Sequence, residues 1–147
     1  MNENFMVETE FLFGFQPKDR RYDIVSRILE AYKASKDLSI YYPTSALIEV
    51  REVMASHGKT ASDRLKALTL IKIKAAESNL SEVSLSSDNL ILCEEIMTQH
   101  TALTFFDALH ASVALSNNST IVSNDEAYDK TGVKRISFKD FLNLIER

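Results

Sequence analysis

Four acidic residues, Glu8, Glu49, Asp107 and Asp125, each fall just after a predicted strand or in the first turns of the helix that follows one. In a parallel α/β sheet such positions gather at one edge, outside the carboxyl ends of the strands. Carboxylates brought together there raise one another's pKa values, so a converging set of four calls for a cation. An oxygen-only donor set suits Mg²⁺ or Mn²⁺ and phosphate chemistry. The histidines do not change that expectation: His57, His100 and His110 show no zinc-ligand spacing with Cys93. His110, one helical turn after Asp107, reads as a partly buried helix residue.

Each acid also has a plain structural reading. Asp107 is the fourth residue of Thr104-Phe105-Phe106-Asp107, the spacing of a capping box. Asp125 follows Ser123-Asn124 and suits a turn cap. Glu49 falls toward the polar side of its helix, yet no Lys or Arg lies three or four residues away to pair with it. Glu8 sits among apolar neighbours, where an acid is uncomfortable. The joint pattern is more informative than any one member.

The elements that must position these acids alternate between strand and helix. Phe5-Met6-Val7 is a short apolar run ending at Glu8. Pro17 and Asp19 open a helix whose apolar face carries Ile24, Val25, Ile28 and Leu29. Leu38 to Tyr42 reads as a second strand stopped by Pro43. Thr44 or Ser45 caps the helix that follows, which runs to about His57 with Leu47, Val50 and Met54 inward. A further helix covers about Thr60 to Glu77, with Ala61, Leu65, Leu68, Ile71 and Ala75 as its apolar stripe. Val83-Ser84-Leu85 is a short strand and Asp88 to Gln99 a helix. Thr104 caps a helix over Phe105 to Ser116, in which Ala108, Ala111 and Ala114 allow close approach to a sheet. Thr120-Ile121-Val122 is a buried strand, Val133 to Ile136 a last one, and Ser137 opens the C-terminal helix. This alternation predicts one α/β domain over residues 1–147, a three-layer α/β/α sandwich around a mainly parallel sheet. Strand order is not readable from the pattern.

Lengths test the convergence. From Asp107 the helix runs ~14 Å at 1.5 Å per residue. The strand from Ser119 to Ser123 returns ~16 Å at 3.3 Å per residue. The two nearly cancel, so Asp107 and Asp125 return to the same edge. Glu8 at the end of the first strand and Glu49 one turn into the helix after the second join them if the strands are parallel.

Composition narrows the class. The 147 residues and 45% hydrophobic content suit one domain with a sizeable core, and three glycines with two prolines imply short loops. Cys93 is the only cysteine, which excludes an internal disulfide and suits a reducing compartment; its apolar run marks it as a small buried hydrophobe. The N-terminus lacks the basic segment of a signal peptide, and no apolar run approaches the ~20 residues needed to span a membrane. A soluble, cytoplasmic protein is expected. A net charge of −4 weighs against sequence-blind nucleic-acid binding. It leaves room for a nuclease, because bound cations cancel an acidic site. Lys18, Arg20 and Arg21, or Lys59, Arg64, Lys66, Lys72 and Lys74, offer charge for an RNA backbone, or are ordinary solvated faces. Tyr41 and Tyr42 suit core packing better than base stacking.

The segments Phe106-Asp107-Ala108-Leu109-His110-Ala111 and Ile121-Val122-Ser123-Asn124-Asp125 resemble the C-terminal half of PIN-domain proteins, including VapC-type toxin nucleases. Pro43-Thr44-Ser45-Ala46-Leu47-Ile48-Glu49 resembles their second strand and following helix, and Met6-Val7-Glu8-Thr9 their opening strand. The resemblance spans almost the whole chain in the expected order. It implies a catalytic and metal-binding set of Glu8, Glu49, Asp107 and Asp125, with Ser123 in support. It also implies metal-dependent endonucleolytic hydrolysis of RNA with one or two Mg²⁺ or Mn²⁺ ions, an antitoxin protein as partner and a homodimer. One departure matters: the family's first acid is usually Asp, and here it is Glu8. The extra methylene moves the carboxylate by ~1.5 Å, a large change for a Mg²⁺ site. The alternative is therefore a PIN-like module that binds RNA or protein through an impaired site. A receiver-like phosphorylation domain would need an acidic pair after the first strand and a later Lys, and no convincing set is present.

Overall fold

Short strands with apolar side chains on both faces can be stable only between two helical layers, and that is the arrangement found. A computed structural model describes residues 2–147. Five strands, β1 (Glu3–Val7), β2 (Leu38–Pro43), β3 (Ser81–Val83), β4 (Thr120–Val122) and β5 (Arg135–Ile136), form one sheet in the order β3-β2-β1-β4-β5. Every neighbouring pair is parallel. Alternate residues serve opposite layers. Phe5, Val7, Ile40, Tyr42 and Val122 enter one core, whereas Met6, Tyr41 and Ile121 enter the other.

The first core is closed by α1 (Thr9–Phe13), α2 (Tyr22–Lys33), α3 (Thr44–Ser56), α4 (Ala61–Glu77) and α7 (Phe138–Ile145). The second is closed by α5 (Ser87–Gln99), α6 (Phe105–Ser116) and a 3-10 helix (Glu126–Thr131). The fold is the expected three-layer α/β/α sandwich. Helix α6 lies deepest. Ala108, Ala111 and Ala114 are fully buried, and small side chains are what allow that approach. Cys93 is buried, and both Tyr41 and Tyr42 pack in the core.

Several boundaries differ from the sequence expectation. Helix α1 was not anticipated, because its five residues are too few to show a helical period. Helix α2 starts at Tyr22 rather than near Pro17: the Asp19 carboxylate accepts from the Arg21 backbone N–H at 2.8 Å and holds that stretch as a turn. Strand β3 lies two residues before the predicted run. The stripe on α4 is only partly inward. Ile71 and Ala75 are buried, but Leu65 is 69% exposed and Ala61 is also exposed, because α4 packs against α3 and reaches the core only around Ile71 and Ala75. Strand β5 is two residues long rather than four. The 3-10 helix fills the space between β4 and β5 and is closed by Gly132 in a left-handed conformation (φ +80°). Among the described residues, no helix is long and apolar enough to cross a membrane.

Candidate metal centre

From β1 the chain moves outward through β2 to β3, then crosses to the other side of β1 for β4 and β5. The direction of winding therefore reverses between β1 and β4. At such a switch point the connections leave in opposite directions and open a crevice at the carboxyl ends of the strands. Glu8 follows β1, Asp125 lies just beyond β4, Glu49 is in the second turn of α3 and Asp107 is in the first turn of α6. All four line one cleft of about 250 Å³, with Thr9, Glu10 and Arg21. A larger hollow, about 440 Å³, lies at the opposite edge around Asn2, Asn118 and Lys134. It gathers no converging set of acids, so chemistry favours the smaller cleft.

Glu8 is the most constrained of the four. Its extended backbone ends β1, and its carbonyl accepts from the Phe11 and Leu12 N–H groups of α1 at 3.1 and 3.3 Å. Its side chain is buried, and Oε1 is the one buried side-chain polar atom without a partner among the described residues. Burial, then the nearby charges of Glu10, Glu49 and Asp107, push its carboxyl well above the ordinary value of 4.5. Glu10 does not share a strand face with Glu8, because α1 has already begun. It reaches the cleft from that helix and pairs with Arg21 at 3.4 Å.

Glu49 is half-buried and well partnered. Its Oε1 accepts from the Thr9 hydroxyl and lies 2.9 Å from His110 Nε2. Burial opposes ionisation of this carboxyl, but the hydrogen bonds from His110 and Thr9 outweigh it and leave the pKa below its ordinary value. Asp107 has its backbone in a helix cap and its side chain at the cleft. Its N–H donates to the Thr104 hydroxyl at 3.2 Å, as a cap requires, while its carboxylate faces the cleft and accepts from the Tyr128 hydroxyl at 3.4 Å. Burial raises the Asp107 carboxyl; the Thr104 side chain opposes the rise, and the charges of Asp125 and Glu49 add to it. Asp125 is exposed and caps the 3-10 helix, its Oδ1 accepting from Ala127 N–H at 2.9 Å. The buried Ser123 hydroxyl accepts from Asp125 N–H at 3.1 Å and so shapes the turn that carries this acid.

Three groups in or behind the cleft were given no site role from the sequence. His110 is fully buried, not partly, and bonds to Glu49, Ser45 and Thr9. Its position one turn after Asp107, on the same helical face, was the available signal. Thr9, next to Glu8, carried none. Tyr128 comes from the unanticipated 3-10 helix; burial, then the charges of Glu8, Asp107, Glu49 and Asp125, raise its phenol well above the ordinary range. Glu8, Glu49 and His110 each offer a ligand atom within 4.8 Å of the others. The cleft is therefore a candidate site for a divalent ion.

An all-parallel five-stranded sandwich with carboxylates at the switch point defines the class of a PIN fold. The pattern of the PIN domain family matches residues 5–134, and the chain belongs to that family. No curated protein matches it at a significant level in sequence. Among solved structures it is similar to VapBC2 from Rickettsia felis bound to a DNA fragment from their promoter. That match is 16% identical with a TM-score of 0.65 and covers 91% of this chain and 98% of that one. VapC20 from Mycobacterium tuberculosis, a Sarcin-Ricin loop cleaving toxin, is 16% identical with a TM-score of 0.65, covering 88% and 95%. VapBC-1 from nontypeable Haemophilus influenzae is 10% identical with a TM-score of 0.64, covering 92% and 98%. At such identities the likeness establishes the fold.

Proposed function

We propose that this chain is a divalent-metal-dependent endoribonuclease that hydrolyses RNA phosphodiester bonds, acting in the cytoplasm as the toxin of a toxin–antitoxin pair. The observation that carries this reading is Glu8: a buried carboxylate with an unpartnered oxygen, facing Glu49 and Asp107. A buried acid without a donor is unfavourable in isolation, and a cation in the cleft would supply the missing partner.

The residues present fit such an ion. Glu8, Glu49, Asp107 and Asp125 would hold one or two Mg²⁺ or Mn²⁺ ions, since hard cations prefer oxygen ligands. When bound, such ions polarise the phosphate, ready a water for attack and neutralise charge on the leaving oxygen. The chain's own groups keep the acids in place. Ser123 shapes the turn under Asp125, and Tyr128 donates to Asp107. Arg21 lines the cleft, with exposed Lys18 and Arg20 close to it in the chain. These cations are suited to meeting the RNA backbone.

The likeness to VapBC2 and VapBC-1 supports an antitoxin partner, and the likeness to VapC20 supports a cleaving toxin. Leu65, Leu70 and Ile73 on α4, with Leu90 and Ile91 on α5, are exposed apolar residues available for burial against an antitoxin or a second copy in a homodimer.

A second reading, a module that binds RNA or protein without cutting, is favoured by one feature: Glu8 stands where the resemblance leads one to expect Asp. Titration of Mg²⁺ and Mn²⁺ into an RNA cleavage assay separates the two. The nuclease reading expects cleavage only with a divalent ion and a loss of at least about 100-fold in D107N, equivalent to ~2.7 kcal/mol of transition-state stabilisation. Cleavage by E8D alone would assign the second reading. Absence of both metal binding and cleavage in every form would remove the first.

A further inference from the structure

His110 is the buried group beside the acids to which the metal-and-acid scheme gives no role. It has no exposed surface, and both its ring nitrogens are engaged. Nδ1 lies 2.8 Å from the Ser45 hydroxyl. Nε2 lies 2.9 Å from Glu49 Oε1 and 3.3 Å from the Thr9 hydroxyl oxygen. Ser45 and Thr9 are themselves buried.

The arrangement argues against His110 as a ligand despite its proximity to Glu8 and Glu49. A ring nitrogen has one in-plane lone pair or one N–H, not both. Glu49 is an acceptor when ionised, so Nε2 carries the hydrogen directed at it. In the neutral ring Nδ1 then accepts from the Ser45 hydroxyl, which fixes the tautomer. A cation on Nε2 would have to displace the bond to Glu49. Thr9 also donates to Oε1 of Glu49, so both protein donors hold one oxygen of that carboxylate and neither is directed at Oε2.

We infer that Ser45, His110 and Thr9 form a positioning relay that anchors Glu49 through Oε1 and presents its other oxygen to the divalent ion, with His110 acting through Glu49 and not as a ligand. The inference rests on the metal-dependent reading above. Its strength comes from the fact that three elements converge on one carboxylate: α1 brings Thr9, α3 brings Ser45 and Glu49, and α6 brings His110. Outer-shell partners of this kind typically change metal affinity by about 10–100-fold when removed.

The test is Mn²⁺ binding by calorimetry, with electron spin-echo modulation of the bound ion, in wild type, H110A, H110Q and T9V. Thermal midpoints in chelator establish which variants are folded. H110A is expected to bind Mn²⁺ about 10–100-fold more weakly. H110Q, whose amide can still donate to Glu49, should recover most of that loss, and T9V should show a smaller loss. The wild-type ion should show no directly coordinated nitrogen. If H110A does not fold, T9V and the wild-type echo signal decide the matter. Wild-type affinity in every folded variant, or a coordinated-nitrogen signal in wild type, overturns the relay alone. Failure of wild type to bind Mn²⁺ overturns the metal reading and the relay with it.

Discussion

Replacing Glu8 by Gln should stabilise the metal-free protein at neutral and alkaline pH, although it removes a proposed ligand. Glu8 is 5% exposed, and its Oε1 has no donor. A buried acceptor left unpaired costs about 1–3 kcal/mol, and more when it carries charge. Gln occupies nearly the same volume, removes the charge beside Glu10, Glu49 and Asp107, and offers an amide N–H₂ to neighbouring carboxylates. In chelator at about pH 8, E8Q should gain about 1–3 kcal/mol over wild type, or roughly 3–9 °C in Tm for a chain of this size. Since the folded pKa of Glu8 is raised above 4.5, the native state retains a proton over a range in which the unfolded chain has released it. That contribution is full below 4.5 and is lost as pH rises through the folded value.

Wild type in chelator should therefore lose stability as pH rises above the ordinary Glu range, with Asp107, also raised, acting in the same sense. E8Q should lose most of that slope. Glu49 has the opposite sign: its lowered pKa contributes stability that is present above 4.5 and lost as pH falls through its folded value. The two effects occupy different pH windows, so a denaturation series from acid to alkaline conditions separates them. Excess Mn²⁺ should reverse the order, because wild type keeps the ligand that E8Q lacks. An E8Q protein less stable than wild type by the same amount at every pH in chelator would refute the reasoning. It would mean that Glu8 is satisfied by packing or water and not in want of a cation.

Metal should act on wild type directly: Mn²⁺ at about 100 times its Kd should add about 2.7 kcal/mol of stability, reversed by chelator and much reduced in D107N. Calorimetry showing no shift in Tm would count against a native-state ion site. Gly14→Ala should cost about 1–3 kcal/mol by overpacking, since a Cβ there would sit 2.5 Å from Val25 Cγ2 and 3.1 Å from the Phe11 carbonyl oxygen; urea denaturation measures it, and a neutral result would show that α1 can shift freely. Tyr128→Phe should lose about 1 kcal/mol with the fold intact, because it removes the hydroxyl that donates to Asp107. An unchanged urea midpoint would show that this bond contributes nothing.

The layers were legible because strand and helix periods differ and the caps were explicit. Thr104 and Ser137 stand where their helices begin, and each side chain accepts a backbone N–H three residues on; the cap expected from Thr44 or Ser45 is absent, because α3 starts at Thr44 behind Pro43 with no side-chain cap. Phe105–Ser116 and Thr120–Val122 fall at their expected bounds. What periodicity lacks is information about what covers a face. Leu65 belongs to a regular stripe on α4 but meets solvent, because α4 packs against α3 and its stripe is covered only where Ile71 and Ala75 reach the core. Elements of five or six residues, such as α1 and the 3-10 helix, complete too few turns for a period to be seen. Strand order leaves no local trace at all, since it is set by which crossovers pack.

Much of the site depends on that unreadable order. Placing β4 beside β1 brings Asp125 toward Glu8, and the lengths of α6 and β4 bring Asp107 with it. The lengths were readable and the adjacency was not. The same distinction separates Asp107 from His110. An acid at a helix N-terminus has a chemical meaning that survives without its neighbours, whereas a histidine acquires one only from what its nitrogens touch. Ser45 is 65 residues from His110 in sequence, and Thr9 is 101 residues away. The short helix α1 is decisive here. By turning the chain sharply after Glu8, it sends Thr9 toward α3 and α6, so adjacent residues serve different roles: Glu8 carries an unmet need for a cation, and Thr9 anchors the Glu49 carboxylate that would share it. Had β1 continued through residue 10, alternation would have sent Thr9 to the opposite face from Glu8 and left Glu49 with His110 alone.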